Sequence, residues 1–197
     1  MIIYPGHGEI FKFDKIFLNT YSLFLKMEVF EAIKKRRSIR NYFKKPISGE
    51  IIDKLIEALI WAPSAGNLQS RKFYFVFNEK IKKDLAEAAF GQDFIAQVPL
   101  VVVGCTDDKI VQRYGERGKN LYSICDVSAS IENLMLVAEE NNLGTCWVGA
   151  FDEKEVTKIL NLPKNLRPIV IVPVGYPAEK PLPPPRVLKN KAIKEIK

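Results

Sequence analysis

Two short stretches carry the residue types needed to bind an anion and a flat polar ring. Arg36-Arg37-Ser38-Ile39-Arg40 concentrates three guanidinium groups and a hydroxyl in one run, and Ala62-Pro63-Ser64-Ala65-Gly66-Asn67-Leu68-Gln69 ends a hydrophobic segment in small, polar and turn-forming residues. A guanidinium is always charged and can donate two parallel hydrogen bonds to a phosphate. Ser, Asn and Gln side chains and exposed backbone amides suit the many acceptors of a heterocycle. The pairing suggests a phosphorylated cofactor with a large planar head group. Taken singly, each stretch has a plainer explanation. The Arg run also fits a solvated helix end, where cations meet the helix dipole, and the turn also fits a helix cap followed by a loop.

Other chemistries lack their parts. His7 is the only histidine, so Ser-His-Asp and Cys-His hydrolysis have no base within the expected fold. The three cysteines, Cys105, Cys125 and Cys146, form no Cys-x-x-Cys pair. They read as reduced thiols of a cytoplasmic protein and offer no metal spacing. The formal charge of +7 is concentrated in Lys34 to Arg40, Lys44-Lys45 and the tail from Arg186 to Lys197. With no zinc-finger or RNA-recognition signature, it points to an anionic ligand rather than nucleic acid. The longest apolar runs, Val98 to Gly104 and Ile169 to Gly175, are far shorter than the roughly 20 residues of a membrane span, so no membrane helix is expected.

These stretches must be positioned by a fold, and the 197 residues suffice for one core-bearing domain. Residues 1–26 are aromatic, with Phe11, Phe13, Phe17, Tyr21 and Phe24, but Asp14, Lys15 and Asn19 break the uninterrupted apolar centre a signal peptide would need. They read as an N-terminal extension ahead of a natural start at Met27, or as a genuine extra arm. From Met27 to Lys197 the pattern alternates. Val29, Phe30 and Ile33 share a helical face. Ser48 caps a helix from about Gly49 to Trp61 with a wide apolar stripe, and Pro63 and Gly66 end it. Phe73 to Phe77, Leu100 to Gly104, Thr145 to Val148 and Ile169 to Val174 read as strands. Helices are expected over about Glu79 to Phe90 and Tyr122 to Asn142, the latter stopped by Gly144, and from the Asp152/Glu155 capping box to Leu160. The fold class is α+β, helices against a central mixed sheet. A Pro-rich arm, 177–197, is suited to reaching across another surface.

From about Met27 onward the chain resembles the FMN-dependent nitroreductase family. The resemblance rests on the two opening stretches, on Gly91-Gln92 before a strand, and on Gly144-Thr145-Cys146-Trp147-Val148-Gly149-Ala150-Phe151-Asp152. Their order and spacing over the whole domain make the match specific. It implies a nitroreductase-like α/β sandwich whose C-terminal arm reaches the partner subunit of a homodimer, with FMN at the subunit interface. Arg36, Ser38 and Arg40, with Arg37 nearby, would hold the ribityl phosphate and the pyrimidine side of the ring. Pro63, Ser64, Ala65 and Asn67 would come from the partner, with Gln69 orienting the turn or touching the ring. Gln92 would reach the polar edge of the flavin, or else be a surface residue beside a turn. Trp147, Val148, Gly149 and Ala150 would pass under the ring, Trp147 as contact or as core. Arg186 matches a phosphate-binding arginine of the family. Its usual lysine companion is Pro184 here, which leaves Arg186 or Lys189 to supply the charge. The implied activity is ping-pong electron transfer from NADH or NADPH through FMN to a small electron-poor acceptor such as a nitro compound or quinone, with no catalytic side chain. The alternative is FMN storage or sensing without turnover. Asp107 to Lys119, carrying Arg113, Tyr114 and Arg117, is either an acceptor-side loop or a charged surface loop.

Overall fold

A computed structural model describes residues 27–197. The expected N-terminal extension, with His7, lies outside the described residues. Helix α1 (Val29–Lys35) leads through strand β1 (Tyr42–Phe43) to helix α2 (Gly49–Ile60). Strand β2 (Arg71–Val76), helix α3 (Glu79–Ala88) and strand β3 (Leu100–Asp107) follow. Helices α4 (Val111–Arg117) and α5 (Ser123–Glu140) precede strand β4 (Gly144–Thr145). Helix α6 (Glu153–Ile159), strand β5 (Leu166–Pro177) and a short helix α7 (Lys189–Ala192) complete the chain.

Among the described residues the sheet has five strands in the order β1-β5-β3-β2, with β4 also on β5. All four ladders among the described residues are antiparallel, and one parallel bridge, Ser38 with Thr145, makes the sheet mixed. Val174 of β5 pairs with Leu100 of β3 on one side and with Thr145 of β4 on the other. β5 is thus an inner strand, and its buried Val170, Ile171, Val172 and Val174 form the continuous apolar run that a strand covered on both faces requires. Side chains alternate across it. Leu100, Val102, Val170 and Val172 pack with Leu55 and Leu59 of α2 and Val127, Ile131 and Leu134 of α5. On the other face, Val101, Val103 and Ile171 pack with Leu85 of α3 and Val156 of α6.

Local chemistry sets the helix ends largely as expected. The Ser48 side chain accepts from the Ile51 amide, and Asp152 accepts from Lys154 and Glu155. The end of α5 differs from expectation. Asn142, at φ +58°, makes the left-handed residue, whereas Gly144 belongs to β4, where a Cβ would stand 2.7 Å from the Ile39 side chain. Close strand packing, not helix termination, requires that glycine. Thr145 to Val148 is not one strand, since β4 ends at Thr145 and only Val148 rejoins β5, through a bridge to Ile171. The segment Asp107 to Lys119 is not a loop. It leaves β3 through a single turn, Asp108–Ile110, enters α4, and runs through a π-helical turn, Gly118–Tyr122, into α5. This helical stretch, Asp108–Glu140, is long enough for a membrane span by length and hydropathy. It is broken at Gly115 by φ +54°, ψ −150°, and its apolar stripe, Val127 to Ala138, is spent on the core between α2 and the sheet.

One expected apolar face points outward. Val29, Phe30 and Ile33 of α1 are 70%, 65% and 50% exposed, while Ala32 is the residue that turns inward. The stripe on α2 is wide enough to serve two surfaces, with Leu55 and Leu59 in the core and Ile56, Ile60 and Trp61 exposed. Leu182, Val187, Leu188, Ile193 and Ile196 of the C-terminal arm are exposed as well.

Candidate cofactor site

Beyond α1 the chain runs extended alongside β4. The Ile39 amide donates to the Thr145 carbonyl, and Ile39 itself is buried. From the other side, Glu179 at the base of the arm accepts from the amides of Arg40, at 2.5 Å, and Asn41, at 3.1 Å. The buried Tyr42 hydroxyl donates to the Ile39 carbonyl, and burial pushes its pKa far up, so it stays a neutral donor. With its backbone clamped and Ile39 turned inward, this segment sends alternate side chains to the outside.

The arginines meet different fates. Arg40 is exposed, with its guanidinium over the Phe94 ring at 5.9 Å and no carboxylate bound to it among the described residues. Arg36 turns toward α5, its Nε 4.0 Å from Glu132 Oε1. Arg37 folds back and donates to the carbonyls of Lys34 and Arg36, capping its own helix. Ser38 lies beside the buried Cys146, whose thiol burial pushes up in pKa against the pull of Arg40 and of Ser38 itself. Cys105 is likewise buried, its pKa raised to about 12. Neither is a ready nucleophile.

The same edge of the sheet carries Gln92 and the 147–150 segment. Gln92 Nε2 donates to Ala89 O at 2.9 Å and to Ala150 O at 3.1 Å, so its donors are consumed and its Oε1 remains as an acceptor. Val148 is buried in its bridge to Ile171, while Gly149 and Ala150 are exposed and Trp147 is 38% exposed. A Cβ on Gly149 would meet only Trp147 Nε1, at 3.7 Å. This open glycine backbone lies beside the Gln92 amide, and Arg40, with no carboxylate on its guanidinium among the described residues, stands over Phe94, two residues beyond Gln92. Arg186 lies on the exposed arm and contacts only the Pro185 carbonyl among the described residues.

The Pro63–Gln69 turn lies elsewhere. It feeds β2, the outer strand on the opposite side of the sheet, and β3 and β5 stand between it and the 147–150 segment. At about 4.8 Å per strand that separation is roughly 14 Å. The chain therefore does not bring all its candidate residues together. Within the turn, Gly66, Asn67 and Gln69 have φ of +55°, +53° and +50°, left-handed values that are costly for the two side-chain-bearing residues. The expectation of free backbone amides here needs correction at four of them. The Ala65 amide is taken by Asp126 Oδ1, the Asn67 amide by Ser64 O, the Leu68 amide by Ala65 O and the Gln69 amide by Ser64 Oγ. The turn also offers side-chain donors outward. Ser64 keeps its hydroxyl proton, and Asn67 keeps its Nδ2 hydrogens, because its Oδ1 accepts from Gln69 Nε2.

The residues that support the turn carry no motif of their own. Arg71 donates to the carbonyls of Ile60, Ala62 and Pro63, and Tyr114 of α4 abuts Gly66. Asp126 is 5% exposed, and burial raises its carboxyl pKa against the opposing pull of the Ala65 amide and Arg71. One signal for it exists in the sequence: Asp126 lies on the same helical stripe as Val127, Ser130 and Leu134, which places a carboxylate on a core-facing side.

Known proteins share this arrangement of elements. The Nitroreductase family matches residues 33–107 and 89–176. An NADH dehydrogenase of Thermus thermophilus is 30% identical over 190 residues, covering 82% of this chain and 93% of that protein. An FMN reductase [NAD(P)H] of Bacillus subtilis is 29% identical over 174 residues, covering 81% and 70%. The solved structure of NfrA2 from B. megaterium superposes with a TM-score of 0.79 at 28% identity, over 85% of this chain and 74% of that one. The match spans the arginine edge, the polar turn and the 147–150 segment alike, and the chain belongs to the nitroreductase family.

Proposed function

We propose that this chain is an NAD(P)H-dependent flavin oxidoreductase that uses FMN to reduce a small electron-poor acceptor by a ping-pong route. We further propose that it works as a homodimer in which each site joins the Arg36–Arg40 edge of one protomer to the Pro63–Gln69 turn of the other. Family membership and relatives described as an NADH dehydrogenase and an FMN reductase support the reaction class. The observation that carries the two-chain arrangement is the placement of the two halves on opposite sides of β5 and β3. The exposed apolar residues of α1, α2 and the arm supply a surface that a second copy would cover.

Bound FMN would supply the hydride chemistry, and the protein would supply binding, orientation and electrostatics. Arg40, assisted by Arg36, Ser38 and the arm's Arg186, would hold the phosphate. Gln92 Oε1 would accept from the ring imide N–H. The open backbone at Gly149 and Ala150 would let the ring approach closely. Ser64 Oγ–H and Asn67 Nδ2 would donate to ring acceptors, where hydrogen bonds favour the arrival of negative charge. No side chain need act as acid or base.

An anaerobic titration with NADH and then NADPH tests the reading. FMN-loaded protein should lose its visible flavin absorbance with at least one nucleotide and regain it with a quinone or nitroaromatic. Flavin that binds but is reduced by neither nucleotide would make this a storage or sensing protein. A dimer in light scattering that dissociates and loses FMN in Trp61→Lys would support the shared site, and a monomer that retains FMN would sink it.

A further inference from the structure

The polar turn is held by two charged residues from distant parts of the chain. Arg71, the first residue of β2, places one guanidinium on three carbonyls at the end of α2 and the start of the turn: Ile60 at 3.0 Å, Ala62 at 2.7 Å and Pro63 at 2.9 Å. It also reaches the backbone carbonyl of Asp126 at 3.4 Å. The Asp126 side chain accepts from the Ala65 amide, two residues further along the turn, at 2.9 Å. The carbonyls leading into the turn thus face a cation, and the Ala65 amide faces a carboxylate.

This arrangement is costly. Asp126 is 5% exposed, and its Oδ2 has no hydrogen-bond partner among the described residues, a state that native structures rarely tolerate without a reason. An asparagine would still accept from the Ala65 amide, through a weaker neutral hydrogen bond, and avoid burying a charge, but it would leave the half-buried Arg71 without its nearby counter-charge. The turn also has a steric wall, because a Cβ on Gly66 would stand 2.5 Å from Tyr114 Oη. Together these contacts hold Asn67 and Gln69 in left-handed backbone that neither would adopt by preference.

We propose that Arg71 and Asp126 are positioning residues that preset the Pro63–Gln69 turn before any ligand arrives, so that Ser64 Oγ and Asn67 Nδ2 point outward in a fixed geometry. This rests on the reading of that turn as half of the flavin site, but the clamp itself is a property of the flavin-free chain. Presetting the turn removes an ordering cost that binding would otherwise carry.

Hydrogen exchange by mass spectrometry on the peptide spanning residues 62–69, without and with FMN, tests it alongside flavin affinity. In flavin-free protein, Asp126→Ala should speed exchange of the turn about tenfold, the effect of losing one hydrogen bond to a charged group, and should weaken FMN about as much. Asp126→Asn, which keeps the acceptor, should restore exchange to within about threefold of the parent. Should Asp126→Ala fail to fold, Asp126→Asn still decides, since loss of protection there would overturn the clamp. Unchanged exchange in Asp126→Ala, or equal damage from the Ala and Asn variants, would also overturn it. If exchange responds as expected while no variant binds FMN, the clamp stands and the flavin reading fails.

Discussion

The two halves of the proposed site are built by opposite means. The Arg36–Arg40 edge is fixed through its backbone, by Thr145 of β4 on one side and Glu179 of the arm on the other, which leaves side chains such as Arg40 free for a ligand. The Pro63–Gln69 turn has few pairings to regular elements and is fixed by side chains brought in from β2, α4 and α5. A sheet-anchored edge can change its outward side chains without losing its shape. A turn held by side chains depends on residues that never touch the ligand.

The largest expected effect follows from removing the main clamp. Arg71→Met should lower unfolding stability by about 3 kcal/mol in urea, because several carbonyls lose a charged donor at once, each such loss costing about 1–3 kcal/mol. A loss below about 0.5 kcal/mol, the level of an ordinary surface change, would mean that the turn holds itself and the contrast between the halves is false.

That half is the less legible one in the sequence. The arginine edge and the turn both stand out by residue type, and the apolar periodicities of α2, α5, β3 and β5 indicate the sandwich. The clamp does not, because Arg71 and Asp126 are separated by two strands and two helices, and only tertiary packing makes them neighbours. Gly144 misleads for a related reason: a glycine after a helix suggests a cap, whereas the demand on it comes from Ile39. The outward turn of Val29, Phe30 and Ile33 is equally hidden, since helical spacing identifies an apolar face but not what covers it.

On the sheet-anchored edge the expected effects fall on ligand rather than fold. Arg40→Ala should weaken FMN by about 1.5–3 kcal/mol, the range for hydrogen bonds to charged groups, with stability almost unchanged. Arg36→Ala should cost less, because its guanidinium is already turned toward Glu132. Isothermal titration separates the two, and equal losses would show that Glu132 does not draw Arg36 away from the ligand.

The smallest effect is electrostatic. Burial makes Asp126 bind its proton more tightly folded than unfolded, so the native state holds more protons between the ordinary aspartate pKa and the raised one. This group's contribution to stability is fully present below that window and falls as pH rises through it. Relative to Asp126→Asn, the parent should therefore lose stability from acid toward neutral pH, by less than any of the changes above. Parallel urea-melt profiles for the two proteins would show that burial does not disfavour the charge.

The contact between Tyr114 and Gly66 has a consequence for recombining this protein with its relatives. The α4 segment, with its break at Gly115 and the π-helical turn behind it, looks like an independent cassette that could be exchanged to alter what the enzyme accepts. It is not one. A transplanted segment bearing a bulkier group at position 114 would push on residue 66 and through it on the turn, and a segment lacking the tyrosine would open space where only glycine now fits. Residue 66 and the α4 cassette form a single unit of exchange, and chimeras that split them should lose the cofactor before they gain a substrate.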